Sequence, residues 1–282
     1  ENQLFGLVYL SDEVFKKYPS KEGYTDQQRH DAAVEKWLKV ESVNRETNTR
    51  LCGIADQGAI GIADISMDDI LDRAASFVRH LLGDVIDVNA LTGSFSGGAS
   101  TSRKRAVGCL ASKYADKADV TQAAIPFVTS LLESTAGGWL ELVPAVREWT
   151  VRTGNILFTV PKNAMIDRVA CKEPDLNMFA QKAIGGEIRR RLRKVGINLN
   201  DQSRNQHYAK LGAETGAYAT IDLSSASDSV STMLVSRLLP PDWFYEMDRL
   251  RCEVTHLPDG NVHENQMFSS MGNGFTFELE SL

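Results

Sequence analysis

The chain has 282 residues, of which 43% are hydrophobic and 24% charged. This composition is typical of globular proteins and excludes an intrinsically disordered chain, and the length suits about two domains. No apolar run approaches the roughly 20 residues that cross a bilayer, and no signal peptide opens the sequence, so we expect no membrane association. The four cysteines lie far apart, which is typical of a reducing cytoplasm and argues against structural zinc.

The net charge of −6 conceals a basic segment. Residues 151–210 contain twelve Lys or Arg and five Asp or Glu, a balance of +7 that leaves −13 for the rest of the chain. A concentrated basic segment in an acidic protein is what a nucleic acid or nucleotide channel needs, because phosphate neutralisation supplies most of the non-specific affinity. The alternative interpretation is a solvated basic helix face.

Two helices are predicted in the mostly helical N-terminal half, over residues 26–39 and 66–82. Ser66 and Asp69 approximate a capping box at the start of the second helix, and Gly83 ends it. The expected buried positions are Ala33, Trp37 and Val40 in the first helix and Ile70, Ala74, Phe77, Val78 and Leu81 in the second. Both helices are interpreted as core-packing elements without chemistry.

A loop rich in glycine and serine follows over residues 92–103 and turns basic at Arg103, Lys104 and Arg105. It lacks the spacing of a phosphate-binding P-loop. Contact with an RNA backbone and a flexible surface loop both remain open for this segment.

The basic segment is predicted to contain a strand over residues 156–160 and a long amphipathic helix over residues 176–195. Gly185 and Gly186 indicate a bend or a close backbone approach in this helix, and Gly196 ends it. Its expected buried positions are Leu176, Phe179, Ala180, Ala183, Ile184, Ile188 and Leu192. Its last turns carry Arg189, Arg190, Arg191, Arg193 and Lys194, which either contact RNA or complement the helix dipole.

Residues 217–241 predict a strand that ends at a carboxylate. Apolar and polar residues alternate over 217–221, the strand is expected to carry Asp222 at its end, and Asp228 follows shortly after. Two such carboxylates can hold a hard divalent cation beside a phosphate, although Asp and Ser are also common as structural caps at helix starts. A helix capped by Ser224 or Ser225 is expected next, with Val230, Leu234 and Leu238 on its apolar face, until Pro240 and Pro241 stop it.

The C-terminal part predicts a hairpin and a glycine loop. Residues 252–257 and 261–268 flank Pro258-Asp259-Gly260, a strong turn signal. His256 and His263 on this hairpin are interpreted as solvent-exposed residues rather than metal ligands. Gly272 and Gly274 then open the segment that ends the chain, where glycine permits backbone shapes that are closed to other residues.

Residues 220–231 (TIDLSSASDSVS) and 269–282 (SSMGNGFTFELESL) together resemble motifs A and B in the palm domain of RNA-directed RNA polymerases. They are most similar to the replicase catalytic subunit of positive-strand RNA bacteriophages, the levivirus group. Upstream, the match includes VPKN at 160–163, DR at 167–168, EP at 173–174, NMF at 177–179 and GINLNDQ at 196–202, and it is looser over 90–110.

The resemblance implies an α+β fold with the right-hand architecture of polymerases, comprising fingers and an incomplete palm. We expect a mostly helical N-terminal region with part of the fingers over residues 1–150. The basic fingers segment is expected over 151–215, and a partial palm with motifs A and B over 216–282.

The resemblance also implies the roles of particular residues. Asp222 is the expected metal ligand of motif A, joined by the backbone carbonyl of Leu223, in a two-metal Mg²⁺ site that catalyses nucleotidyl transfer. Lys162 and Arg168 match the basic element over the incoming triphosphate, and Glu173 is expected to pair with one of them. The expected nucleotide-binding residues are completed by Asp228, facing the ribose 2′-hydroxyl, and by Ser270, Gly272, Asn273 and Thr276 of motif B. Many palm polymerases carry an asparagine where this chain has Glu280, so sugar selection by an amide is not implied.

The family's Gly-Asp-Asp motif, which carries the other metal-binding carboxylate, is absent from the sequence. The chain also starts at Glu1 and stops within the expected motif B helix. From these features we expect a fragment that is inactive alone and exposes an apolar face formed by Phe275, Phe277, Leu279 and Leu282.

The implied partners are a single-stranded RNA template, nucleoside triphosphates and, in the host cytoplasm of a bacterium, the elongation factors Tu and Ts and a ribosomal protein. Three alternatives to an RNA-directed RNA polymerase stay open. They are a non-catalytic RNA-binding module that uses residues 162–194, a phosphohydrolase that uses Asp222 and Asp228, and a reverse transcriptase.

Overall fold

The computed structural model describes residues 2–17, 23–53, 61–62, 65–142 and 148–282, and in them it combines helices and sheets, as the predicted α+β class requires. The helices are α1 (Asn2–Lys17), α2 (Asp26–Cys52), α3 (Met67–Leu82), α4 (Leu110–Ala115), α5 (Ile125–Leu142), α6 (Asp175–Lys194), α7 (Ser203–Thr215), α8 (Thr232–Leu238), α9 (Pro241–Leu250) and α10 (Thr276–Ser281). The strands are β1 (Gly61–Ile62), β2 (Ile65–Ser66), β3 (Ala118–Thr121), β4 (Trp149–Arg152), β5 (Asn155–Pro161), β6 (Asp167–Lys172), β7 (Val254–His256) and β8 (Val262–Glu264). A bilayer-spanning helix is absent from the described residues, each of whose helices is too short or too polar for that.

The largest sheet brings together segments that are distant in the sequence. Its strand order is β6-β5-β7-β8, with β5 antiparallel to β6, β5 parallel to β7, and β7 antiparallel to β8. The last pair is the predicted hairpin around Pro258-Asp259-Gly260, with shorter strands than expected. Elsewhere β3 pairs with β4 in parallel and β1 with β2 in antiparallel. The basic segment and the C-terminal segment therefore share one sheet.

The main core is built around α6. Every position expected to be buried on this helix is buried, and α6 packs against α5, α3, α9, β3 and α10. A Cβ added to Gly185 would lie 3.0 Å from the carbonyl oxygen of Gly274, so the predicted close approach is confirmed there, whereas Gly186 faces open space. Gly196 follows the helix with φ +85°, as expected of a C-terminal stop.

A second, smaller core lies between α2 and the large sheet. Ala33 and Trp37 of α2 pack with apolar residues of β5 and β6 and with Met267. The helix begins at a capping box formed by Thr25 and Gln28 and continues thirteen residues beyond the predicted end at residue 39. In that extension it buries Glu41 and Asn44, two polar residues that the apolar pattern did not indicate.

The sequence prediction for α3 was right about its ends and partly wrong about its buried face. Ser66 and Asp69 form the capping box, and Gly83 is the C-cap. Ile70 and Phe77 are about half exposed, whereas Leu71 and Leu82 are buried. The helix packs against α6 and α8 through a face that is rotated by about one residue from the predicted stripe.

The strand predicted over residues 217–221 is wrong. Residues 217–221 pair with no strand among the described residues, and Ile221 is 85% exposed. Alternation alone does not make a strand, because the ladder needs a hydrogen-bonding neighbour. The following helix also begins later than expected. Ser224 and Ser225 lie in a turn, residues 227–229 form a 3₁₀ helix, and α8 begins after Ser231 and ends before the two prolines.

The apolar face predicted at the C-terminus is largely covered. Phe275 is fully buried, with its ring centroid 5.9 Å from that of Phe268. Leu279 and Leu282 pack partly against the main core, and Phe277 alone of the four is half exposed. The reason is that α10 docks on α6, which turns the expected face inward.

The loop over residues 92–103 is packed rather than loose. Phe95 and Ser100 are buried, and the amine of Lys113, itself 2% exposed, donates to the Ser96 carbonyl at 2.9 Å. Arg103 is held by carbonyls of residues 112 and 117. Through these contacts the loop packs against the main core.

Candidate functional site

One cavity of about 500 Å³ gathers five of the residues singled out in the sequence. Its wall includes Lys162, Arg168, Asp222, Leu223 and Asp228. The wall also includes Lys36 and Trp37 of α2, the turn residues 224–227, Met271 and Glu280. Carboxylates and basic side chains that are up to 244 positions apart, from Lys36 to Glu280, therefore face the same space.

The motif A segment reaches the cavity as an exposed chain followed by a tight turn. Asp222 is exposed and has no hydrogen bond or ion pair with other residues of the described ranges. Ser225 adopts φ +55°, a left-handed conformation that is uncommon outside glycine. The turn and the 3₁₀ helix after it bring Asp228 back to the wall that Asp222 occupies.

Asp228 is less exposed than Asp222, and its carboxyl group has a shifted pKa. Burial, together with the negative charges of Glu41 and Glu280, raises the pKa of the Asp228 carboxyl to about 6, while the Lys36 ammonium acts in the opposite direction. The Asp228 carbonyl accepts a hydrogen bond from Asn44 Nδ2 at 2.7 Å. Asn44 therefore fixes the backbone of Asp228, and the carboxyl group of Asp228 faces the cavity.

Helix α2 supports this region through a buried carboxylate. Glu41 is 1% exposed and accepts hydrogen bonds from the Gln266 amide at 2.6 Å, the Met267 amide at 2.8 Å and Asn44 Nδ2 at 3.0 Å. His263 Nε2 lies 2.9 Å from the same carboxylate and must be the donor, since an ionised carboxylate only accepts. Burial raises the pKa of Glu41, but these hydrogen bonds outweigh burial and hold it below 4.5.

The exposed position predicted for His263 is therefore wrong. Its side chain is 16% exposed, bonds Glu41 and meets the Trp37 ring edge-on at 5.1 Å. The sheet places β8 against α2, a long-range contact that a hairpin turn signal cannot indicate. Within the described ranges, no group of three or more His, Cys, Asp or Glu side chains is arranged to hold a metal ion.

The basic wall of the cavity lies at the turn between β5 and β6. Lys162 directly follows β5, and Arg168 faces Val160 across the pair of strands. Both basic side chains are exposed, and neither has an ion-pair partner within the described part of the chain. The short β5–β6 connection thus holds two free positive charges beside the carboxylates of motif A.

The expected pairing of Glu173 with Lys162 or Arg168 is wrong. Glu173 is 1% exposed and accepts from Asn155 Nδ2 at 2.6 Å and from Gln181 Nε2 at 2.9 Å. Burial raises its pKa above 4.5. Glu173 follows β6 into the core, so its carboxyl group points away from the cavity.

The motif B loop is shaped by the core beneath it. Gly272 has φ +117°, and a Cβ there would lie 2.1 Å from the Cys171 carbonyl oxygen, so only glycine fits. The Met271 carbonyl accepts from the Cys171 amide at 2.8 Å, and Gln181 Oε1 accepts from the Gly274 amide at 2.8 Å. The loop is thereby attached to both β6 and α6.

The polar residues predicted in motif B lie behind the cavity wall. Ser270, Asn273 and Thr276 are buried, and Gly272 is exposed, but none of the four lines the cavity. Asn273 Oδ1 accepts from the Phe275 amide at 3.0 Å, and Thr276 Oγ1 donates to the Ser270 carbonyl at 3.0 Å. Their observed bonds maintain the shape of the loop.

The arginine run on α6 divides into paired and free residues. Arg190 and Arg191 both bond Glu187, one turn earlier, and Arg189 bonds Glu278 and Asn200. Arg193 and Lys194 are exposed, without an ion-pair partner among the described residues. The spacing of three and four residues from Glu187 is the signal that predicts the first two pairs.

Three residues important to the cavity were missed or given no chemical role by sequence reasoning. Lys36 and Glu41 belong to a helix interpreted only as a packing element, and no local pattern connects them to motif A. Glu280 was noticed in the sequence only as a departure from the asparagine that many palm polymerases carry, and no role was assigned to it.

Comparison with known proteins identifies the family of the chain. The model of the family described as RNA replicase, beta-chain, matches residues 1–282. The RNA-directed RNA polymerase beta chains of Enterobacteria phage GA and Escherichia phage MS2 are each 41% identical over 98% of this chain, covering 52% and 50% of their own lengths. The corresponding beta subunit of Escherichia virus Qbeta is 38% identical over 99% of this chain and 46% of its own length. The chain thus spans about half the length of these relatives, and over that span it belongs to the RNA replicase beta-chain family.

Proposed function

We propose that this chain contributes the nucleotide-binding part of the active site of an RNA-directed RNA polymerase that replicates a single-stranded RNA phage genome. The observation that carries the proposal is the cavity in which the motif A carboxylates face Lys162 and Arg168. A nucleoside triphosphate needs both kinds of wall, since its phosphates require positive charge on one side and a metal held by carboxylates on the other. The relatives named above are RNA-directed RNA polymerases, which supports the choice of reaction.

Asp222 and the carbonyl of Leu223 would hold Mg²⁺. Both residues line the cavity, both are exposed, and their oxygens are the hard ligands that this ion prefers. The ion, when bound, would neutralise phosphate charge and favour attack by the 3′-hydroxyl. Two metal-binding carboxylates complete such a site, and we propose that the second comes from a Gly-Asp-Asp motif outside these 282 residues.

Lys162 and Arg168 would bind the triphosphate and stabilise the departing pyrophosphate. Their lack of carboxylate partners within the described ranges leaves them available to an anionic ligand. Asp228 would face the ribose, where its carboxyl group could accept from or donate to a 2′-hydroxyl according to its protonation. Direct nucleotide contacts from Ser270, Gly272, Asn273 and Thr276 stay a prediction; support of the motif B loop is the role that their hydrogen bonds favour.

Template RNA would follow the exposed positive charge at the end of α6. Arg193 and Lys194 are the residues best placed for this, because Arg189, Arg190 and Arg191 already bond carboxylates. The fingers and palm division, the host factors Tu and Ts and a ribosomal protein, and action in the bacterial cytoplasm belong to the same proposal and rest on family resemblance.

The test is template-directed nucleotide incorporation by a full-length beta chain carrying these residues. Asp222→Asn should abolish incorporation and leave RNA affinity nearly unchanged, whereas Asp12→Asn, an exposed carboxylate on α1, should change neither. The wild-type 282-residue chain should not incorporate nucleotides by itself. An Asp222→Asn enzyme that retains synthesis would refute the metal-ligand assignment, and a full-length wild-type protein that binds RNA without synthesis would favour the non-catalytic RNA-binding module.

A further inference from the structure

A third basic residue, Lys36, lines the cavity, and it lies outside the segments that resemble polymerase motifs. Lys36 lies on α2, beside Ala33 and Trp37, and all three residues line the cavity. Ala33 and Trp37 are 3% and 2% exposed and fix this face of the helix against the sheet. Because the helix is fixed there, the long side chain of Lys36 is kept at the edge of the cavity.

The Lys36 ammonium lies beside the motif A turn. Its Nζ lies 3.5 Å from Ser224 Oγ, at the outer limit of a hydrogen bond, and within electrostatic reach of Asp228. Lys36 is exposed, and it forms no ion pair at 4.0 Å or less with a carboxylate of the described residues.

The unpaired basic residues of the cavity indicate what this ammonium could bind. Lys36, Lys162 and Arg168 line the same space as four carboxylates, Asp167, Asp222, Asp228 and Glu280, and yet none of the three forms an ion pair with them. An anion of high charge density, held between basic residues from α2 and from the β5–β6 turn, would satisfy these positive charges together.

We propose that Lys36 is a phosphate-binding residue of the nucleotide site, contacting the triphosphate from α2 while Lys162 and Arg168 contact it from the β5–β6 turn. This inference rests on the proposed function, since it names a further residue of the same site. It gives helix α2 a direct role in substrate binding. Lys39, one turn further along α2, is exposed and absent from the cavity wall, which makes it a matched control.

The experiment measures binding of GTP and of inorganic triphosphate, each with Mg²⁺, to a full-length beta chain carrying these residues, by titration calorimetry. Lys36→Ala should raise the Kd of both probes by about tenfold, the effect of losing one charge-assisted hydrogen bond. Lys36→Arg should recover most of that affinity, and Lys39→Ala should bind like the wild type. Equal losses for the two probes are expected because the missing contact is to phosphate.

The outcomes separate the inference from the function on which it rests. If Lys162→Ala weakens both probes and Lys36→Ala does not, Lys36 is not a phosphate ligand and the nucleotide site survives. If Lys36→Ala weakens GTP but not inorganic triphosphate, the residue acts on the sugar or base, and the phosphate assignment is wrong. A wild-type full-length beta chain that binds neither probe overturns both proposals.

Discussion

Replacing Glu41 by glutamine should destabilise the protein although the new side chain has the same shape. The carboxylate is 1% exposed and accepts from the amides of Gln266 and Met267, from Asn44 and from His263. A glutamine keeps one oxygen, and its NH₂ group then faces donors that need an acceptor. Because a buried donor left unpaired costs about 1–3 kcal/mol, we expect Glu41→Gln to lower the free energy of unfolding by about 2–3 kcal/mol.

The pH dependence provides a second readout of the same prediction. The pKa of Glu41 is lowered in the folded protein, so its contribution to stability is present above the unfolded value near 4.5 and is lost as the pH falls through the folded value. Wild type should therefore lose more stability than Glu41→Gln does when the pH falls below about 4.5.

Urea unfolding of the 282-residue chain, followed by circular dichroism, measures both effects. Glu46→Gln is the control, because Glu46 lies on the same helix but is exposed. If Glu41→Gln and Glu46→Gln unfold with the same free energy at pH 7, the carboxylate does not hold the segment before motif B, and the interpretation of α2 as a support is refuted.

Three further predictions concern the loops and buried acids. Gly272→Ala should lower the free energy of unfolding by at least about 3 kcal/mol, because the φ of +117° and the neighbouring carbonyl exclude a Cβ. Gly186→Ala should instead raise the free energy of unfolding by about 0.5–1 kcal/mol. Thermal unfolding compares the two variants. Carbon-detected NMR should find the Asp228 carboxyl titrating near pH 6, and Glu280→Gln should lower that midpoint by removing a repelling charge. Because burial raises the pKa of Glu173, its contribution to stability is present below about pH 4.5 and is lost as the pH rises through the folded value. Glu173→Gln should remove this loss of stability in urea titrations at pH 5 to 8. A pH profile that is the same in the variant and the wild type would contradict the prediction.

The features that the sequence predicted well are those determined by nearby residues. The buried face of α6 follows from spacing within one helix, and the caps of α3 follow from Ser66, Asp69 and Gly83 within one or two turns. The hairpin follows from a three-residue turn signal. In each case the energy that selects the conformation arises between residues fewer than about twenty positions apart.

The predictions that were wrong concern features determined by residues far apart in the sequence. Residues 217–221 alternate like a strand, yet whether they pair depends on a neighbour that the alternation cannot supply. Glu173 was expected to pair with Lys162 or Arg168, and His263 was expected on the surface, but each is held inside by partners from other elements. Buried polar networks are difficult to predict from the sequence, because a polar residue is placed inside only when distant partners satisfy its hydrogen bonds.

Helix α2 lies outside the segments that resemble motifs A and B, but its side chains bond residues in or near both of them. Asn44 bonds the carbonyl of Asp228 in motif A, and Asn48 accepts from the Met233 amide and donates to the Gln266 carbonyl. Glu41 bonds the amides of Gln266 and Met267, which lie shortly before the motif B segment. Helix α2 therefore bonds motif A directly and also the chain that leads into motif B, by contacts across 184 to 226 positions. This helix, to which the sequence analysis assigned no chemistry, thus couples the position of Asp228 to that of the segment that leads into the glycine loop.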